Sequence, residues 1–297
     1  MALSKLSGDE QGIVFTQLCN VLDPRLAVYF SSVSNELREL TQTLQQQLRA
    51  DHDAATVLCL KLGMRSCKEL REAKEFRRHK GLTAADLTLL GTLGSVLPVL
   101  ETLWLYDPTR TAGPDGVQRL AAGLGAGALP AVNYLHLNMH VGNAGASALA
   151  AALGRGALPR LQILSLCDSA IGDAGLVALA PALRRMPALR TLALEQNPIG
   201  DEGIAALVAP PPPAGAHPPP TGVLTKLKEL DLGVTQVSDA GCATLAAALD
   251  SGAMPALEKL YLFCTPASAT ARAAVREARD TLEYEEPDGS DSEEGED

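Results

Sequence analysis

The 297-residue chain holds 25 basic and 35 acidic residues, and it is 46% apolar but only 3% aromatic. No apolar run reaches the roughly 18–20 residues that cross a bilayer, and the opening MALSKLSGDEQGI lacks the apolar stretch of a secretion signal. Six scattered cysteines without a CxxC pair exclude a disulfide scaffold and a classical zinc finger, so reduced thiols and a cytoplasmic or nuclear home are expected.

Residues 1–80 are predicted as a helical N-terminal region. Helical spacing covers 9–49, as GIVFTQLCNVL and then DPRLAVYFSSVSNELRELTQTLQQQL after a turn at Asp23-Pro24. A further helix is predicted over 64–80, mixing Lys68, Arg71, Lys74, Arg77, Arg78 and Lys80 with Glu69, Glu72 and Glu75. The interleaved acids and the lack of an aromatic platform argue against nucleic acid, and for a solvated face or a dock for an acidic segment. Within about 6–45, the stretch VLDPRLAVYFSSVSNELREL resembles an F-box, although Leu6-Ser7 replaces its Leu-Pro opening and its Trp is missing. That resemblance implies recruitment of a cullin-type ubiquitin ligase. A helical cap on the end of the following domain is the other reading of the same residues.

Residues 81–282 are predicted as one repeat domain. The half-repeat GLTAADLTLLGTLGSV at 81–96 has helix spacing without a clear strand before it. Then one frame recurs: LPVLETLWL at 97–105, LPAVNYLHL at 129–137, LPRLQILSL at 158–166, MPALRTLAL at 186–194, LTKLKELDL at 224–232 and MPALEKLYL at 254–262. The first strand leucines are Leu103, Leu135, Leu164, Leu192, Leu230 and Leu260, spaced by 32, 29, 28, 38 and 30 residues. Each L-x-L predicts a short strand with its leucines inward, and the following G-x-x-x-L-x-x-x-L predicts one apolar helix stripe. A single unit cannot bury its leucines, whereas a stack buries them all.

This frame, L-x-x-L-x-L-x-x-N-x-[LI]-x-x-x-G-x-x-x-L-x-x-x-L, resembles the ribonuclease-inhibitor-type leucine-rich repeat over about 81–280. The resemblance implies an α/β fold: a curved horseshoe solenoid with parallel strands inside and helices outside. The ladder position that the family fills with Asn or Cys is Asn only at 197. Ser169, Thr235, Thr265 and His140 stand there elsewhere, so looser loops are expected. Residues 271–282, with Arg272, Arg276 and Arg279 in place of leucines, are predicted as a capping helix.

The long spacing contains APPPPAGAHPPPTG at 209–222, predicted as an extended polyproline loop. A tolerated insertion is the simpler account, and recruitment of a polyproline-binding domain the other. Nine of the 35 acids fall in 283–297, which leaves 26 acids against 25 bases elsewhere. That tail is predicted to be disordered. Ser290 with Glu293 resembles an acidophilic kinase site.

The outward strand positions carry the functional reading. Trp104, Tyr106, Tyr134, Tyr261 and Phe263, half of the ten aromatics, fall there with His136, Cys167, Glu195 and Asp231. Aromatic anchors are what protein interfaces enrich, so these nine residues are the candidate protein-binding site, unless helical caps cover the end strands. His136, Ser165 and Asp231 share one column, but Asp231 stands two strands beyond Ser165 and cannot orient the imidazole. No catalytic, metal or cofactor residue is assigned. The expected function is a non-enzymatic module binding a protein partner on its concave face. The alternatives are an F-box-like adaptor with ubiquitin-ligase subunits as partners, and a Ran-GTPase-activating-protein-like regulator of a small GTPase, a family that joins such repeats to an acidic tail.

Overall fold

Two leucines per strand decide how the repeats stack, because a three- to five-residue strand has stability only among neighbours. The structure, a computed structural model, describes residues 14, 20–33, 35–78, 81–107, 109, 111–113, 115–208, 224–279 and 282. Leu6-Ser7, the proline insert at 209–222 and the acidic tail at 283–297 lie outside the described residues.

Among the described residues the elements begin with the helices α1 (Arg25–Ser32), α2 (Asn35–Lys61) and α3 (Cys67–Glu72). Strands β1 (Glu75–Arg78), β2 (Thr102–Tyr106), β3 (Tyr134–Asn138), β4 (Ile163–Ser165), β5 (Thr191–Ala193), β6 (Glu229–Asp231) and β7 (Lys259–Tyr261) form one parallel sheet in chain order. The helices that alternate with them are α4 (Ala84–Leu93), α5 (Gly116–Gly123), α6 (Gly142–Gly154), α7 (Asp173–Leu183), α8 (Asp201–Val208), α9 (Asp239–Asp250) and α10 (Ala269–Glu277). Leu103, Leu135, Leu164, Leu192, Leu230 and Leu260 are paired in one row across the sheet, as their spacing predicts. All six are buried against the helix leucines in one continuous core.

The helix expected over 64–80 is corrected by this structure. Ser66 caps α3 by accepting the Glu69 N–H, the helix ends at Glu72, and the chain runs on into β1. Glu75-Phe76-Arg77 alternates with a period of two, not 3.6. Phe76 is buried beside Leu103, while Arg77 stands beside Trp104 on the opposite face. An added strand also covers the backbone edge that β2 would otherwise expose. The helix expected within 9–49 instead extends to Lys61, where Lys61 Nζ bonds both Asp86 carboxylate oxygens at 2.8 Å and ties α2 to α4.

Polar side chains stitch the repeats together at two levels. Asn197 lies buried at the ladder position. Its Nδ2 donates to the carbonyls of Leu166, Leu194 and Glu195, and its Oδ1 accepts from Ser169 and Ile171. Ser169 reaches back to the Leu137 carbonyl, whereas Thr235 and Thr265 bond only carbonyls three residues earlier in their own repeats. His140 leaves its buried Nδ1 without a partner, so the imidazole does not serve as a ladder rung. The second level runs along the helix N-termini. Asn143 accepts from Gly172 and Gly175, Asp173 from Gly200 and Gly203, Asp201 from Ser238, and Asp239 from Ser268. Each anchor satisfies unpaired N–H groups at the start of the next helix, where a negative charge is also favoured.

These anchors also explain the glycine of each repeat. A Cβ at Gly175 would sit 2.7 Å from Asn143 Oδ1, and one at Gly203 would sit 2.7 Å from Asp173 Oδ1. At the far end, Arg279 donates to the carbonyls of Met254 and Ala253, and Arg272 to that of Ala267. The arginines of the capping segment thus replace the hydrogen bonds another repeat would make.

Candidate functional site

Period-two alternation leaves three rows of side chains on the sheet face opposite the helices. The first is Glu75, Thr102, Tyr134, Ile163, Thr191, Glu229 and Lys259; the second is Arg77, Trp104, His136, Ser165, Ala193, Asp231 and Tyr261. Tyr106 pairs with Asn138 at the head of the third row, where Cys167, Glu195, Gly233 and Phe263 continue the alternation past their strands. The sheet therefore places the nine candidate residues on one face in the predicted columns.

They divide into groups. Trp104 and His136 have ring centroids 4.6 Å apart, Trp104 and Tyr134 6.3 Å, and Tyr134 and His136 6.4 Å. The Arg77 guanidinium lies 5.2 Å over the Trp104 ring, within range of a cation–π attraction. A polar chain leads inward from this cluster: His136 Nδ1 is 2.8 Å from Ser165 Oγ, which is 3.2 Å from Cys167 Sγ. Cys167, expected to project outward, is buried, with its Sγ against the Ser165 hydroxyl of the adjoining row. Burial pushes its thiol up to about 11. Burial also lowers the His136 pKa, against a smaller opposing pull from Glu195, and raises that of Tyr134. Burial thus favours the neutral form of the His136 imidazole.

The second group is acidic. Glu195 and Asp231 are half-buried neighbours, and burial pushes the Asp231 carboxyl up to about 6. The Gly233 N–H opposes that shift by donating to Asp231 Oδ1 at 2.9 Å, while Glu195 and Glu229 add to it. Asp231 therefore engages Gly233 and Glu195, and the Ser165–His136 contact gains no carboxylate from it. Phe263 lies against the bare backbone of Gly233, where any Cβ would overlap its ring. Tyr261 pairs in register with Asp231. Tyr106 stands apart, at the rim of a groove of about 530 Å³ that Asp107, His140 and Asp168 also line.

Arg77 is the residue that sequence reasoning missed. Its signal was the alternation around Phe76, hidden by the helix-like charge pattern of 64–80. Between the aromatic cluster and Tyr261/Phe263, the second and third rows include the small residues Ser165, Cys167, Ala193 and Gly233 beside Glu195 and Asp231.

Comparison with known proteins agrees with the repeat reading. The family described as a leucine-rich repeat matches residues 159–180, 186–208 and 223–246, which supports a leucine-rich-repeat family. With seven parallel strands and alternating helices, the chain is a leucine-rich-repeat solenoid. Among curated proteins none matches the chain. Of solved structures, it is similar to leiomodin-1 actin-binding site 2 at 14% identity, over 48% of this chain and 76% of that one, with a TM-score of 0.36. A likeness that weak carries no argument about what this chain binds.

Proposed function

We propose that the chain is a non-enzymatic interaction module that holds a protein partner on its concave face. The observation that carries this reading is the cluster of Arg77, Trp104, Tyr134 and His136, four large half-buried or exposed side chains stacked on a face made of strands. Aromatic and arginine side chains are the usual anchors of protein interfaces. The acidic pair Glu195/Asp231 beside these small residues favours a basic side chain from the partner. The repeats are read as the ribonuclease-inhibitor type, since an α-helix follows each strand from β2 to β7.

Partner binding is expected to weaken by about 1–4 kcal/mol on Trp104→Ala or Tyr134→Ala, and to be unchanged by Arg185→Ala on the helix side. The measurement is quantitative affinity capture from native lysate, alongside the unfolding midpoint of each variant. Partners lost only with Arg185→Ala would overturn the concave assignment.

A second reading, an F-box-like adaptor of a cullin-type ubiquitin ligase, is favoured by α1. Leu26, Tyr29 and Val33 follow one another along one side of that helix and its C-cap, and they are 65, 75 and 67% exposed. Recovery of ligase core subunits, lost on Tyr29→Ala, would select this reading.

A further inference from the structure

We propose that Cys59 and Cys67 form a dithiol that a hydroperoxide oxidises to a disulfide, joining α2 to α3. The two residues face each other across the turn at 62–66, and the Cys59 thiol donates to Cys67 Sγ at 3.7 Å. Both are buried, at 1% and 7% exposure. The other described cysteines, Cys167, Cys242 and Cys264, belong to three different repeats of the solenoid.

The pair is asymmetric, and the asymmetry assigns the roles. Cys67 forms part of the wall of a cavity of about 850 Å³, together with His52, Thr56, Arg65, Lys68 and Arg71; Cys59 lies behind it. The Thr56 hydroxyl is 3.5 Å from Cys67 Sγ. Burial, reinforced by Cys67, pushes the Cys59 thiol up to about 12. Cys67 is therefore the thiol that a small peroxide reaches first, and Cys59 the one that resolves it.

The chemistry balances with hydrogen peroxide as the oxidant. The Cys67 thiolate attacks one peroxide oxygen, the O–O bond breaks, and Cys67 becomes a sulfenic acid while the leaving hydroxide takes up a proton as water. The Cys59 sulfur then attacks the sulfenic sulfur. The S–S bond forms, the S–O bond breaks, and the thiol proton leaves with the hydroxyl as a second water. Two thiols lose two electrons and two protons, and one peroxide is reduced to two waters. Closure brings the sulfurs from 3.7 Å to roughly 2.05 Å. The movement falls on the turn between the helices, where Gly63 adopts a φ of 77°. The bond would fasten α3, which leads directly into β1, to the long N-terminal helix.

The test uses the full chain treated with hydrogen peroxide, followed by alkylation of remaining thiols, trypsin without reductant, and mass spectrometry. The expected product has lost two of its six thiols, with the peptide containing Cys59 linked to the short peptide containing Cys67, and it reverts with dithiothreitol. In Cys59→Ser, Cys67 should accumulate as a sulfenic acid that dimedone labels. In Cys67→Ser, oxidation at the same dose should slow by about tenfold or more. Three results would overturn the proposal: retention of all six thiols, a first disulfide formed between chains through the exposed Cys264, or unchanged oxidation of Cys67→Ser.

Discussion

Asp173 at the start of one helix accepts the backbone N–H of Gly203 in the next at 2.9 Å, and that of Gly200 at 2.7 Å. One carboxylate thereby caps a helix that is not its own. Asp173→Ala is expected to lower unfolding stability by about 2–3 kcal/mol, since two charge-assisted hydrogen bonds at part-buried amides are lost together. Asp173→Asn should recover a large part, because Asn143 performs the same task for Gly172 and Gly175. Denaturant unfolding of both variants checks this; equal stability of Asp173→Ala and the parent would refute the anchoring role.

The buried core makes a separate prediction. Leu192 pairs with Leu164 on one side and Leu230 on the other, and it is fully buried. Truncating it leaves a cavity in the middle of the sheet, so Leu192→Ala should cost about 2–5 kcal/mol. An unchanged unfolding midpoint would show that the register is wrong.

Asp231 predicts a pH dependence. Its folded pKa, about 6, lies above the ordinary carboxylate value, so the folded chain holds this proton more tightly than the unfolded one. Its contribution to stability therefore falls as pH rises from about 4 to about 6 and is level above that. Asp231→Asn should remove this slope and raise stability at pH 7.5 by about 1 kcal/mol, a figure reduced for partial exposure to solvent. Thermal unfolding between pH 4 and 8 is the measurement. A parallel pair of curves for the parent and Asp231→Asn would sink the idea.

The repeats were legible because each carries the same leucines at the same offsets, and period two then fixed which residues share the concave rows. The first strand was not. Phe76 and Arg78 occupy the places of the two leucines, and the charges around them have helical spacing. Arg77 was consequently read onto a helix, far from Trp104. The second ladder escaped for another reason. Asn143, Asp173, Asp201 and Asp239 each stand two residues before a glycine, yet their partners are 27 or more residues further on. The signal is local, but the bond that explains it is not. Burial of Cys167 was equally hidden, since alternation gives the face of a residue and not what packs against it.

The turn after each strand supports the last prediction. Asp168, Gln196, Val234 and Cys264 stand four residues beyond the paired leucines Leu164, Leu192, Leu230 and Leu260, and all have positive φ, between 48° and 56°. The solenoid thus demands a left-handed residue at this corner in every full repeat from β4 onward. Asp tolerates that conformation because its short polar side chain can bond locally, whereas a β-branched side chain crowds its own backbone there. Val234, at 54°, is the misfit, and its side chain gains little in return, being 42% exposed. Its N–H donates to the Phe263 carbonyl at 2.8 Å, a bond that any residue except proline would keep. Val234→Asn should therefore stabilise the chain by about 1 kcal/mol, the lower end of the strain such a residue stores. Val234→Gly should gain less, because glycine is also freer in the unfolded chain. Thermal unfolding of the two variants decides it. A midpoint lowered by Val234→Asn would mean that the valine is held there by packing rather than tolerated in spite of strain.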